Sequence, residues 1–390
     1  MSDIREHKFI VYCGDNYNAL GICRSLGEKG IDPIVVMYSP RPYLVNHSKY
    51  VKHLYKVASP EAGLDLIIEK WGNEQYSPFV YTMDDYTTML MDQRYDELHD
   101  KFYFFNGGQS GRITYYMDKK NICNLAEECG IPQPKGEVLK KGEVPSTLDY
   151  PVITKVTMSI KGAWKKDVFI CNDVEELKSA YKQIKADELL VQEYIEKKNE
   201  LCVDGFSING GEEIYFPYTS EYLRFGKKSY GDYMIMKPYD NPIVREKIYN
   251  IIRNCHFSGI FSLECLIDKK DDLYFLEVNF RNSTWSYACT YGGLNLPYYW
   301  AKCTLEGKID LSECSIRQIP FTAMDEIGDF SQMCHDPNLS FVTWYKQFKT
   351  CDCPYIYNKD DMKPFYYAIL RKIKTVFEHK VIAKFRKNIR

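Results

Sequence analysis

The chain has 390 residues, 45% of them hydrophobic and 27% charged, which excludes the disordered, collagenous and small disulfide-framework classes. With 51 basic against 53 acidic residues its formal charge is -2, which gives no support to nucleic-acid binding by the chain as a whole. Its length calls for two or more subdomains, and its 33 tyrosines suit half-wet clefts as well as cores without naming a function.

Phe9-Ile10-Val11-Tyr12-Cys13 reads as a buried strand. Ala19, Leu20, Ile22, Cys23 and Leu26 recur at helical period and Gly30 supplies a stop, so a helix is expected over 17–29. Further strands are expected at 33–37, 53–57, 78–82 and 102–105, and helices at 60–71 and 84–98. This alternation predicts a parallel, doubly wound sheet in a first unit at 1–112. The first turn, from Gly14 to Gly21, lacks Gly-x-Gly-x-x-Gly, so dinucleotide binding is not expected there. Asp84 and Asp85, at a strand end, fit a cleft lining and a helix cap equally well.

The pattern changes from 117 onward. Asp118 caps a helix expected over 119–129, closed by Gly130 and Pro132. Strands at 152–156 and 166–171 bracket a polar loop, and a helix fits 173–185. A strand at 189–194 leads into a charged connector, Glu196–Glu200, and then into strand-like runs at 201–209 and 212–220. A helix fits 242–254, and strands at 261–267 and 273–278 flank a turn at 268–272. This is an α+β layout, unlike the α/β first unit.

The strongest chemical signal lies in that last hairpin. Side chains alternate along a strand, so Glu277, Asn279 and Arg281 share a face, and Glu264 on the neighbouring strand can join them. Two carboxylates and an amide oxygen make a hard-oxygen site suited to Mg²⁺. Arg281 adds a planar fork for a phosphoryl or carboxylate oxygen. For Glu277–Arg281 alone, a solvated strand face is an equally good reading. Lys119 at a helix start and Lys155 at a strand end are point charges of the kind that phosphates recognise, although each alone is also an ordinary surface lysine. Val191-Gln192-Glu193-Tyr194-Ile195 runs into a connector whose backbone can read an adenine edge, and the Glu200 carboxylate can accept from ribose hydroxyls.

Taken in order, Asp118-Lys119, Lys155, Gln192 to Ile195, Glu200, Glu264 and Glu277-x-Asn279-x-Arg281 resemble the ATP-grasp superfamily over about 1–310. The resemblance implies a Rossmann-like pre-ATP-grasp domain at 1–112, a small ATP-grasp subdomain at 113–190 and a large subdomain with the metal site at 191–310. A C-terminal helical extension follows at 311–390. It implies that Lys119 and Lys155 contact ATP phosphates, that Gln192, Glu193 and Ile195 form the adenine hinge, and that Glu200 holds ribose. Glu264, Glu277 and Asn279 are the implied Mg²⁺ ligands, with Mn²⁺ as a substitute metal, and Arg281 with Lys155 stabilises the transferred phosphoryl group. The loop at 157–166 is the implied lid. It has one glycine where many relatives have several, with Lys161, Lys165 or Lys166 as replacement donors.

Tyr81 to Tyr86, Phe105-Asn106-Gly107-Gly108 and Asn282 to Tyr287 resemble, more narrowly, carboxylate–amine ligases of the D-aspartate ligase-like type. The implied reaction joins a small-molecule carboxylate to an amine through an acylphosphate, with a cell-wall or surface-polymer precursor as one partner. Two alternatives are a non-catalytic ATP-binding module and a carboxylase-type enzyme acting on bicarbonate. Arg224, Lys228 and Tyr230 are candidates for facing a substrate carboxylate; a charged surface hairpin explains them as well.

Residues 371–390 hold eight Lys/Arg against one acid, so near-neutrality conceals a basic tail on an acidic body. Ile369, Ile373, Val376, Phe377, Val381, Phe385 and Ile389 recur at helical spacing. Such a helix can lie on an anionic membrane surface, or pack on its own domain with a solvated basic face. The charged N-terminus has no signal-peptide core, no apolar run is long enough to span a bilayer, and the fourteen cysteines have no metal-ligand or framework spacing. A cytoplasmic protein is expected, with peripheral contact at the inner membrane surface if the basic helix binds lipid.

Overall fold

The computed structural model describes residues 3–157, 167–225 and 231–387, with backbone alone beyond 375. Three sheets organise it, and they follow one another along the chain.

The first holds β1 (Phe9–Cys13), β2 (Ile34–Met37), β3 (His53–Lys56), β4 (Phe79–Thr82) and β5 (Tyr103–Phe104). All pairings are parallel and the order is β3-β2-β1-β4-β5, so the doubly wound expectation is met. β1 and β4 are buried along their whole length, which is why both read as unbroken apolar runs. Helix Tyr17–Glu28 starts where the Asn16 side chain accepts from the Ala19 N–H, and helix Pro60–Trp71 starts with Ser59 as cap and a proline in its first turn. The helix expected over 84–98 divides at Arg94 into Asp85–Gln93 and Tyr95–Leu98.

The second sheet is antiparallel: β6 (Gly136–Lys140), β7 (Val152–Val156), β8 (Ile170–Cys171) and β9 (Glu188–Glu193), in the order β6-β9-β7-β8. Val152, Val156, Leu189 and Val191 close over Leu177 and Ala180 of helix Val174–Tyr181, forming a small separate core.

The third sheet holds β10 (Lys197–Ile208), β11 (Glu213–Tyr215), β12 (Tyr218–Tyr222), β13 (Tyr233–Pro238), β14 (Gly259–Asp268), β15 (Leu273–Asn279), β16 (Phe321–Met324) and β17 (Cys353–Pro354). Its main path is β15-β14-β10-β12-β13-β16-β17, with β11 pairing to β10. Alternation puts Val203, Leu263, Cys265 and Val278 into the main hydrophobic core. It sends Glu200, Cys202, Glu264, Glu277 and Asn279 to the opposite face.

The C-terminal segment is helical as expected, with Glu326–Met333, Phe341–Thr350 and, where the basic helix is expected, Lys363–Lys387, and it also adds β16 and β17 to the third sheet. It is pinned to the first sheet's layer by Arg24, whose side chain is fully buried. Nε donates to Asp361 Oδ2 at 2.9 Å, Nη1 to the Tyr355 carbonyl at 2.8 Å and Nη2 to the Ile356 carbonyl at 2.9 Å. Charge, fork geometry and donors are all satisfied, which is the condition for tolerating a buried guanidinium.

Candidate active site

Strand register assembles the site. Cys202 lies opposite Glu264, Glu264 opposite Glu277, and Ser262 opposite Asn279, across three adjacent antiparallel strands. The two carboxylates and the amide that the sequence placed on one face, Glu264, Glu277 and Asn279, therefore do share it. Asn279 Nδ2 donates to Glu264 Oε1 at 3.2 Å and lies 3.4 Å from Glu277 Oε1. Glu200, Cys202 and Glu264 each bring a ligand atom within 4.8 Å of the others. The Cys202 thiol was not anticipated; its one sequence signal is its position two residues after Glu200.

The lysines arrive from the second sheet and from the helix before it. Asp118 caps helix Lys119–Glu128 by accepting from the Lys120 N–H at 3.0 Å. The Lys119 N–H donates to the Thr157 carbonyl at 2.8 Å, which ties the helix start to the end of β7. The Lys119 ammonium then donates to Glu277 Oε2 at 2.7 Å. Lys155, on β7, donates to Gln192 Oε1 at 2.9 Å, and Gln192 Nε2 donates to the Pro134 carbonyl at 3.1 Å. Gln192 thus contributes a buried side chain as well as backbone. The Glu193 carboxylate accepts from the Lys135 N–H at 2.9 Å, on the β6 side of the sheet. Tyr194 N–H donates to the Pro151 carbonyl at 2.9 Å, and Ile195 lies in the short link between β9 and β10. Glu200 accepts from Lys197 at 2.6 Å.

Arg281 follows β15. Its Nη2 donates to Asn279 Oδ1 at 2.8 Å and its Nε to Asp85 Oδ1 at 2.6 Å. The two aspartates that sequence could not separate have different jobs. Asp84 is the helix cap, accepting from the Thr87 N–H at 2.9 Å, and Asp85 reaches into the cleft. Arg224 is a correction. It makes a two-pronged ion pair with Asp329 and a 2.6 Å bond to Gln347, so it joins the C-terminal helices rather than facing a substrate. Lys228, Tyr230 and nearly all of the expected lid, including Lys161, Lys165 and Lys166, lie outside the described residues.

The charges are unevenly matched. Lys119 holds Glu277 below the usual carboxylate range despite burial. Burial works against charge on Lys119, but Glu277 outweighs it and keeps the ammonium above its ordinary value. Burial pushes Glu264 well up, and the like charges of Glu277 and Glu200 add to the rise. Burial also raises Glu200, with Lys197 in opposition. Lys155 is brought down to about 8 by burial and by the neighbouring Lys119 ammonium. Lys119 and Glu277 satisfy each other, but Glu264 is short of positive charge and Lys155 is short of negative charge. A divalent cation and a polyphosphate supply those two deficits together.

No family model matches the chain. A carbamoyl-phosphate synthase of Methanobrevibacter smithii is 26% identical over 187 residues, 46% of this chain and 49% of that protein. An N5-carboxyaminoimidazole ribonucleotide synthase of Staphylococcus aureus is 25% identical over 132 residues, 34% of each. The match thus spans about half the length of the first relative and about a third of the second. Among solved structures, an L-amino acid ligase from Bacillus licheniformis superposes with a TM-score of 0.60 at 14% identity, covering 78% of each chain. The Staphylococcus aureus N5-carboxyaminoimidazole synthetase gives 0.63 at 16% identity over 85% of this chain and 86% of that one, and is also known in complex with ADP. A Campylobacter jejuni biotin carboxylase gives 0.64 at 16% identity over 81% of this chain and 74% of that one. The chain has the ATP-grasp fold.

Proposed function

We propose that the chain, built on the ATP-grasp fold, is an ATP- and Mg²⁺-dependent carboxylate–amine ligase. One observation carries this reading: Glu264, Glu277 and Asn279 meet on adjacent strands, with Lys119 and Arg281 both in hydrogen-bond contact with that set. The donor set suits Mg²⁺, which Glu264, Glu277 and Asn279 would hold and which would neutralise phosphate charge when bound. Lys119 and Lys155 bind the phosphates; Gln192, Glu193 and Ile195 border the adenine, and Glu200 takes the ribose. A carboxylate oxygen attacks the γ-phosphorus and ADP leaves, giving an acylphosphate. An amine then attacks the acyl carbon and phosphate leaves. The chain supplies alignment and electrostatics, with Arg281 and Lys155 on the transferring group, and forms no covalent bond of its own.

Two carboxylates and an amide gathered on one strand face beside Lys119 and Arg281 favour this over a non-catalytic nucleotide-binding module. A carboxylase-type reaction on bicarbonate is the second reading. It is favoured by the matches to a biotin carboxylase and to N5-carboxyaminoimidazole ribonucleotide synthases. Screening amino acids in pairs, with and without cell-wall precursors or bicarbonate, for Mg²⁺- and ATP-dependent phosphate release tests both. Release that needs a carboxylate and an amine supports ligation, release that needs bicarbonate supports the second reading, and no release under any pairing contradicts both.

Peripheral membrane contact belongs to the same proposal. Tyr366, Leu370 and Ile373 are exposed at helical spacing on helix Lys363–Lys387, beside the basic run noted above. Among the described residues no helix is long and apolar enough to cross a membrane. Flotation with anionic vesicles, using the full chain and a chain ending at 364, decides it: equal recovery of both in the soluble fraction contradicts lipid binding.

A further inference from the structure

An arginine that holds a phosphoryl or carboxylate oxygen presents two N–H groups along one edge. On Arg281 that edge is occupied from within the protein, by Asp85 Oδ1 at 2.6 Å on Nε and by Asn279 Oδ1 at 2.8 Å on Nη2. The remaining nitrogen, Nη1, has among the described residues a single long contact, to the Asn282 carbonyl at 3.5 Å. Asn279 belongs to the proposed metal set, whereas Asp85 is not among the residues assigned above to nucleotide or metal. It comes from the first turn of helix Asp85–Gln93, which follows β4 of the first sheet, 196 residues earlier in the chain. The helix start is capped by Asp84, and an acid in the first turn is stabilised by the helix dipole. The Asp85 and Arg281 side chains are 21% and 17% exposed, so the pair is sheltered yet reachable. A small cavity bordered by Asp85, Lys119, Glu277 and Asn279 adjoins it.

Resting on the ligase reading above, we propose that Asp85 is a positioning residue that stands in for the substrate oxyanion at Arg281. Its carboxylate keeps the guanidinium aimed into the cleft and is displaced when a phosphoryl or carboxylate oxygen takes the Nε edge. An arriving oxyanion must break a charge-assisted hydrogen bond, so Asp85 sets how tightly the cleft holds anions. It also links the first sheet to events at the metal strands.

The test uses the full chain with Asp85→Asn, Asp85→Glu and Asp84→Asn. Calorimetric titration with MgADP comes first, then inorganic phosphate and, separately, acetate, each with and without saturating MgADP. Asp85→Asn is expected to leave MgADP affinity unchanged and to bind at least one of the two anions about tenfold tighter or more, the scale of one charge-assisted hydrogen bond. Asp85→Glu is expected to stay near wild type. Asp84→Asn removes a neighbouring charge that does not touch Arg281, and is expected to change anion affinity little. Tightening of phosphate alone assigns the edge to the phosphoryl group, and tightening of acetate alone assigns it to the substrate carboxylate. Anion affinities that are unchanged or weaker in Asp85→Asn overturn the proposal, and so does an Asp84→Asn effect of equal size. Failure of the wild type to bind MgADP counts against the ligase reading instead, while the nucleotide-free anion arms still decide the role of Asp85.

Discussion

Lys155 ties the nucleotide reading to a measurable pH profile. Burial and the Lys119 ammonium bring its pKa from 10.5 to about 8. Phosphate oxygens recognise the ammonium and not the free amine. With a pKa of about 8, roughly nine-tenths of the molecules carry the charge at about pH 7 and roughly one-tenth at about pH 9. ADP affinity measured with a chelator present, so that no divalent cation contributes, is therefore expected to weaken about tenfold over that range, or about 1.4 kcal/mol. Lys119 adds no slope, because Glu277 holds its ammonium above the ordinary lysine value. Lys155→Arg, always charged, flattens the profile, and Lys155→Met binds weakly at every pH. Linkage gives a second sign. Between about pH 8 and pH 10.5 the unfolded chain binds more protons at this residue than the native one, so its contribution makes stability rise across that window, and Lys155→Met removes that rise. A wild-type ADP affinity that is flat from about pH 7 to 9, or a Lys155→Met protein that keeps the wild-type slope, refutes the reasoning.

Glu277→Gln removes the Lys119 ion pair and one anionic metal donor, and should cut steady-state ADP release between about a hundredfold and a thousandfold while the circular dichroism spectrum stays unchanged. Arg24→Met strips the buried fork from Asp361 and two carbonyls, and should cost about 3–5 kcal/mol in urea denaturation. Burial and the adjacent Glu326 charge raise Asp325 from 3.8 to about 7. Its contribution to stability is therefore full below the ordinary aspartate range and is lost as pH rises through about 7. Asp325→Asn, which keeps a cap for the Ile327 and Gly328 N–H groups, should show a smaller fall in melting temperature between about pH 5 and pH 8.

The parallel sheet was legible because its central strands β1, β2 and β4 are buried and read as apolar runs. The metal strands were legible because alternation over Glu277 to Arg281 needs only one correctly guessed neighbour, and the hairpin turn supplies it. Pairing, rather than local pattern, makes strands of Gly136–Lys140 and Tyr233–Pro238, so sequence missed them. The charged stretch expected to be a connector is mostly strand: Lys197–Ile208 pairs with β14 almost throughout, and its polar side chains answer one another across the cleft face, as Lys197 does for Glu200. Arg224 was misplaced because its partner, Asp329, is 105 residues away and leaves no local trace. The Asp85–Arg281 contact was hidden for the same reason.

The central claim is that a carboxylate is activated by phosphoryl transfer before the amine arrives. A heavy-oxygen label in the carboxylate of the acid found by screening tests this directly, with the released phosphate analysed by mass. The account predicts one labelled oxygen in each phosphate and an amide product that has lost it. Unlabelled phosphate released alongside the amide contradicts it, because the carboxylate oxygen that the amide lacks has then left as water.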